Sequence, residues 1–398
     1  MGAVQGAYGY AQDLDRSLTK ISIVTGKGRD EMAQFAREAN HAAQALSTTT
    51  TQYADAALIF YQQGLGSAEV QRRTEATIKM AHAEGESAEE VSSYMTAIWN
   101  NFADGSKTIE YYGDVLQELG ATTAASAAEI AEGLEKFAAI GETVGLSYEY
   151  AASAIATVVD KTRQSAEVVG TAFKTIFSRM QGLNLGETLD DGTDLNKYSQ
   201  ALLAVGINIK DAKGGLKDMN VILDEMGAKW QTLHRDEQMA LAQTVAGVRQ
   251  YTQLMSLMNN YDDFKSNVSA AEMSTGALDI AAERYADSWE GARDRVKSAM
   301  EGVYDALIDE NFFISMDNGL TGLINGVQGL VKGMGGLGGI MTTVGGLFMT
   351  HFAKEMPSAI NSLINTFSVF SGKAVDDATN AQSQLDKILT NMPEAFTD

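Results

Sequence analysis

An all-α fold is predicted by three features of the sequence. Proline is confined to Pro357 and Pro393, so almost the whole chain lacks the residue that removes a helical donor and clashes with the preceding turn. Apolar residues recur at steps of three and four, the period of a helix face. Glycines, 38 in all, fall where those runs stop, as they do at helix C-termini. The expected architecture is a multi-helix core of short glycine-punctuated helices with one small β-hairpin. A long amphipathic helix and a glycine-rich apolar helical segment follow. Shifts in pattern mark six segments: 1–52, an N-terminal helical segment; 53–186, the helical core; 187–275, a second helical part holding the hairpin; 276–311, the long amphipathic helix; 312–354, the glycine-rich segment; and 355–398, a C-terminal helical segment.

The core is the most regular part. Arg29 to Leu46 reads as a modestly amphipathic helix, and Asp55 to Gln63 as a short one ending at Gly64. Ser67 is placed to cap the next, with Gly85 as its stop. Ser87 and Glu90 form a capping box ahead of Val91, Tyr94, Met95, Ile98, Trp99 and Phe102, a core stripe on one helix face. Ser126 and Glu129 form a second box, before Ile130, Leu134, Phe137 and Ile140, with Gly141 and Gly145 as breaks. Ser147 caps a helix carrying Ile155, Val158 and Val159; the next carries Val169, Phe173, Ile176, Phe177 and Met180. Residues 205–210, Lys213-Gly214-Gly215 and a short return give the hairpin signal. Asp236 to Asn259 reads as one long helix. So does Ala277 to Leu307, with Glu290–Arg293 and Asp294–Lys297 pairs at helical spacing.

The glycine-rich segment is a seam. Gly319, Gly322, Gly326, Gly329, Gly333 and Gly336 are separated by alternating steps of three and four. Leu320, Leu323, Val327, Leu330, Met334 and Leu337 repeat one residue behind. In a helix the glycines line one face and the large apolar residues the next. Each interior glycine costs about 0.5–1 kcal/mol against alanine, so close packing of two backbones is needed to offset several together. No fixed charge stands between Lys332 and Lys354, a length near the roughly 20 residues that cross a bilayer. Burial by self-association and entry into a membrane both fit.

Composition excludes several chemistries. Cysteine is absent, which removes disulfides, thiolate zinc sites and a cysteine nucleophile. The net charge of −22 opposes a phosphate-binding surface. No two of His41, His82, His234 and His351 stand within four residues, so there is no helical metal pair. Asp190, Asp191, Asp194 and Asn196 lack the spacing of a calcium loop and read as a solvated acidic loop. Gly333-Met334-Gly335-Gly336-Leu337-Gly338 matches a dinucleotide fingerprint in letters only, with no strand before it. No catalytic, metal or cofactor-binding residues are assigned, and no cofactor is expected.

Several stretches carry a family likeness: Ala57-Leu58-Ile59-Phe60-Tyr61-Gln62-Gln63-Gly64-Leu65 with Glu69-Val70; Leu119-Gly120-Ala121-Thr122-Thr123-Ala124-Ala125-Ser126 with Glu132-Gly133-Leu134-Glu135-Lys136; Gly145-Leu146-Ser147; Gly170-Thr171-Ala172-Phe173-Lys174 with Phe177-Ser178-Arg179-Met180; and Leu241 to Gln250. In this order they resemble the core region of tail tape measure proteins of long-tailed phages, over about half the chain. The resemblance implies a non-enzymatic structural protein that lies in the tail tube lumen and templates tube length and assembly. It implies release ahead of the DNA at ejection, with insertion in the host membrane. The implied partners are further copies of itself, the tail tube, tail tip and tail assembly chaperone proteins, and the host membrane, without specific nucleic-acid binding. It places the protein in the virion, after assembly in the host cytoplasm. Family members are usually much longer.

A helical pore-forming or secreted effector protein is the alternative, resting on the uncharged span Gly333 to Ala353. Membrane leakage by the purified chain favours that reading, and a requirement for tube protein favours the first. A tail-associated hydrolase is a third class, for which no domain is visible. The seam itself is testable: Gly326→Leu with Gly329→Leu is expected to lower the oligomeric mass read by light scattering. An unchanged mass refutes it.

Overall fold

The computed structural model describes residues 2–180 and 197–307, with side chains over 9–180 and 197–302. Among the described residues there are sixteen helices and no strand. The first nine are α1 (Gly2–Thr25), α2 (Arg29–Ala45), α3 (Thr50–Gln62), α4 (Ser67–Glu84), α5 (Ala88–Phe102), α6 (Ile109–Thr122), α7 (Ala127–Thr143), α8 (Tyr148–Thr162) and α9 (Ala166–Met180). Then come α10 (Lys197–Ala204), α11 (Met219–Trp230), α12 (Arg235–Ala246), α13 (Tyr251–Asn259), α14 (Tyr261–Glu272), α15 (Ala277–Ala286) and α16 (Trp289–Leu307). Among the described residues Leu14–Gly291 forms one compact unit, and Gly2–Asp13 and Ala292–Leu307 fall outside it.

Local sequence accounts for most helix starts. Ser87 and Glu90 close a reciprocal box at the head of α5, at 3.2 and 3.1 Å. Ser126 and Glu129 do the same for α7, at 3.1 and 2.8 Å. The Ser147 hydroxyl accepts from the Tyr150 amide to start α8. Each bond satisfies a donor that the first helical turn leaves free. Thr49 with Gln52 makes a third box, at α3. Ser67 is not a cap: it is the first residue of α4, and Gly66 stands before it without a side-chain bond.

Glycine marks stops only where the backbone turns left-handed. Gly85 (φ +71°) and Gly145 (φ +69°) do so. Gly141, expected as a break, stays inside α7, packed against Phe102 and Phe137. The single helix expected over Asp236 to Asn259 is two, because Gly247 at φ +80° ends α12. The helix expected over Ala277 to Leu307 is also two, parted at Asp287 and Ser288. The hairpin reduces to one antiparallel bridge, Lys210 to Leu216. There the Asp211 carboxylate accepts from the Lys213 and Gly215 amides at 2.8 Å each. A side chain thus builds the turn, and the flanking runs are too short to extend a ladder.

At the centre lies α8, buried from Tyr148 to Val159 except at Glu149, which is half-buried. A helix apolar around its whole circumference belongs inside, and α6, α7, α9, α13 and α14 surround it. Its buried Thr157 donates to the Ser153 carbonyl at 2.7 Å and accepts from Asn267 of α14 at 2.9 Å. The tightest crossing is α7 on α9. A Cβ built on Gly170 would lie 2.1 Å from the Gly133 carbonyl oxygen. Beyond that point Phe173 stacks on Phe177 at 5.2 Å, and Phe137 meets both at 5.9 Å.

Gly170→Ala should therefore destabilise the unit by about 1–3 kcal/mol, the usual range for overpacking, despite the gain in helix propensity. Gly9→Ala, which meets nothing within 4 Å, should instead gain about 0.5–1 kcal/mol. Urea unfolding of both variants checks the contrast; a neutral Gly170→Ala would refute the close crossing.

Candidate functional site

The stretches that carry the family likeness fall at contacts between helices. Phe60 of α3 meets Trp99 of α5 at 5.9 Å. Above Trp99 lies the Arg73 guanidinium, 5.1 Å from the ring, held from its other side by Glu69 at 2.8 Å. The Leu119–Ser126 stretch closes on the end of α8: Ala124 donates to Asp160 at 3.0 Å, and Arg163 donates to the Ala124 carbonyl. At its start Gly120 faces the Ala127 backbone, which a Cβ would approach to 2.8 Å.

Two further stretches reach across the sequence. Gly145-Leu146-Ser147 receives the head of α11. Met219 donates to the Val144 carbonyl at 2.9 Å, the Ser147 amide donates to Asn220 at 3.1 Å, and a Cβ on Gly145 would overlap Asp218. Arg179, at the end of α9, donates to the Ala246 carbonyl at 2.7 Å. That carbonyl belongs to the last turn of α12, where acceptors lack helical partners and a cation is favoured.

A cluster of titratable side chains joins α8, α11 and α14. The Asp224 carboxylate accepts from Tyr150 at 2.9 Å, from Tyr261, and from Lys265 at 3.1 Å. Lys265 also donates to the Tyr150 hydroxyl. Burial, then hydrogen bonding to Asp224, pushes the Tyr261 hydroxyl well above its ordinary range. Burial raises Tyr150 as well, against the pull of Lys265. The Lys265 ammonium is also raised, since its bonds to Tyr150 and Asp224 outweigh desolvation. The cluster is thus a hydrogen-bonded clasp between three helices.

This geometry is one of helix joints, and comparison with known proteins gives it a context. A sequence profile described as phage-related minor tail protein matches residues 31–247. The chain belongs to that family. A protein of Escherichia phage P2 described as "Probable tape measure protein" is 24% identical over 215 residues, covering 54% of this chain and 25% of the phage P2 protein. The chain thus spans about a quarter of that relative's length. No solved structure matches.

In this minor tail protein the profile match ends at Gly247, the residue beside which Arg179 closes on α12. Of the residues singled out from sequence, Val91, Tyr94, Met95, Ile98 and Trp99 are buried and Phe102 is half-buried. Gly319, Gly322, Gly326, Gly329, Gly333 and Gly336 lie outside the described residues, as do Asp190, Asp191, Asp194 and Asn196. Among the described residues no helix is long and apolar enough to cross a membrane, and no three His, Asp or Glu side chains are grouped as metal ligands.

Sequence reasoning missed the clasp and missed Asp114. The second had a signal, since Asp114 interrupts an otherwise aromatic and aliphatic run from Tyr111 to Leu116. Arg179→Met is expected to lower stability by about 1.5–3 kcal/mol, the scale of a hydrogen bond to a charged group. Chemical denaturation measures it, and an unmoved midpoint would deny the joint any weight.

Proposed function

We propose that this chain is a core portion of a tape measure protein, which lies in the lumen of the tail tube and templates its length and assembly. On this reading it works among further copies of itself, the tube, tip and assembly chaperone proteins, acts without catalysis, and leaves ahead of the DNA at ejection. The apolar stretch of residues 312–354 serves either self-association or entry into the host membrane at that step. The observation that carries the reading is the likeness to the phage P2 protein over 215 residues, beside the family match over residues 31–247. The acidic balance supports it, because a surface of charge −22 shares a channel with DNA without gripping it.

Packing refines the ruler. An extended helix converts residues to length at about 1.5 Å each. Within Leu14–Gly291 the helices fold back on one another around α8, so that conversion does not apply to this unit in its compact form. We assign the measuring to the chain outside the unit and an organising role to the unit itself.

In the phage that encodes this protein, an in-frame deletion of about 20 helical residues outside Leu14–Gly291 should shorten tails by roughly 30 Å. Removing α7 should instead abolish tails. Electron microscopy of the particles reads both. Tail length unchanged by the first deletion would overturn the tape measure reading, and full-length tails without α7 would overturn the division of roles.

A further inference from the structure

We propose that α15 is a releasable strap over the α4 and α6 surface, held in place by a cap that it borrows from Asp114. The helix has ten residues, and Leu278 is its one buried side chain. On its outer side Ile280 is half exposed, and Asp279, Glu283 and Arg284 are exposed. By comparison α7 buries nine residues, among them Ile130, Leu134 and Phe137. A helix this short does not persist alone in water, so its order depends on what it rests upon.

It rests on α4 and α6 alike, and the contacts that fix its start and register are specific. Its N-cap position is Gly276, which offers no side chain to the free amides of the first turn. The Asp114 carboxylate supplies the cap from α6, accepting from the Gly276 amide at 3.0 Å and the Leu278 amide at 2.9 Å. One residue earlier in α6, Gly113 leaves the space for Leu278, whose Cδ2 would lie 2.7 Å from a Cβ there. On α4, Lys79 pairs with Asp279 at 2.6 Å, and His82 stacks on Tyr285 with 4.0 Å between ring centres. The first of these is worth little because Asp279 is largely exposed.

Two consequences follow from a helix capped by another element. It cannot start without that element, and it can leave without costing the others a hydrogen bond of their own. Asp114 is 6% exposed with the strap on, and burial holds its carboxyl above the ordinary range against the two amide donors. Release returns that carboxyl to water, which solvates it. The strap therefore opens as a local event, below the free energy at which the crossing of α7 and α9 comes apart.

Hydrogen–deuterium exchange on the full chain tests this. Amides in the last turn of α15 should exchange at least about tenfold faster than those of Ile130 to Phe137. Asp114→Ala should speed α15 by about a further tenfold, the scale of a lost cap, and leave α7 and α9 unchanged. Gly113→Ala is the second variant: it strengthens α6 as a helix yet pushes Leu278 off, so α15 alone should speed up. Equal protection of α15 and α7 would overturn the strap. So would variants that leave α15 unmoved, or that loosen every helix alike.

Discussion

The approach of α7 to α9 at Gly133 and Gly170 sets how the rest of the central unit is arranged. With no Cβ on either helix at the crossing, the two backbones come close enough for Phe137, Phe173 and Phe177 to close into one aromatic group. A Cβ on Gly133 would also press on Ile155 of α8. The same residue therefore fixes the distance to two neighbours, and α8 is held in the layer behind. Because α8 is covered on every side, its polar groups face the interior: the Ser153 hydroxyl is buried without a partner, while two others are bonded. Thr157 bonds along its own helix and to Asn267, and Tyr148 reaches the Tyr112 carbonyl at 2.6 Å.

Helix content and helix starts were legible because capping is local. Ser87 with Glu90, and Ser126 with Glu129, determine their own geometry within four residues. Stops were less legible. Gly141 and Gly247 look alike in sequence, yet the first remains helical against Phe102 and the second turns to φ +80° beside Arg179. What separates them is a partner distant along the chain. The missed helix α6 has the same origin. Its aromatic run is interrupted by Gly113 and Asp114, residues that weaken a helix read alone. Both are explained once Leu278 and the start of α15 are laid over them.

The stretches that carry the family likeness coincide with contacts between helices, so packing geometry accounts for them. Gly120, Gly133, Gly145, Gly170 and Gly247 each stand where another group approaches too near for a side chain. Such positions are bound by geometry rather than by chemistry. Longer-range polar joints left a fainter trace. Tyr261 and Lys265 are four residues apart on one face of α14, but nothing near them in sequence announces that Asp224 and Tyr150 will meet them.

The acidic excess also has a structural share. Glu31, Glu90, Glu129 and Glu237 accept from the amide at the head of their own helices, and Asp114 does so for a helix not its own. Each places negative charge where the helix dipole is positive. A chain of many short helices with almost no proline has many such ends, and an anion at each stabilises it by a few tenths to about 1 kcal/mol. Part of the −22 therefore follows from the number of helix starts, before any partner is considered. The remaining carboxylates stand on exposed faces, as Asp279 and Glu283 of α15 do. Removing acids at the helix heads therefore changes net charge and helix stability together, whereas removing those on exposed faces changes the charge alone.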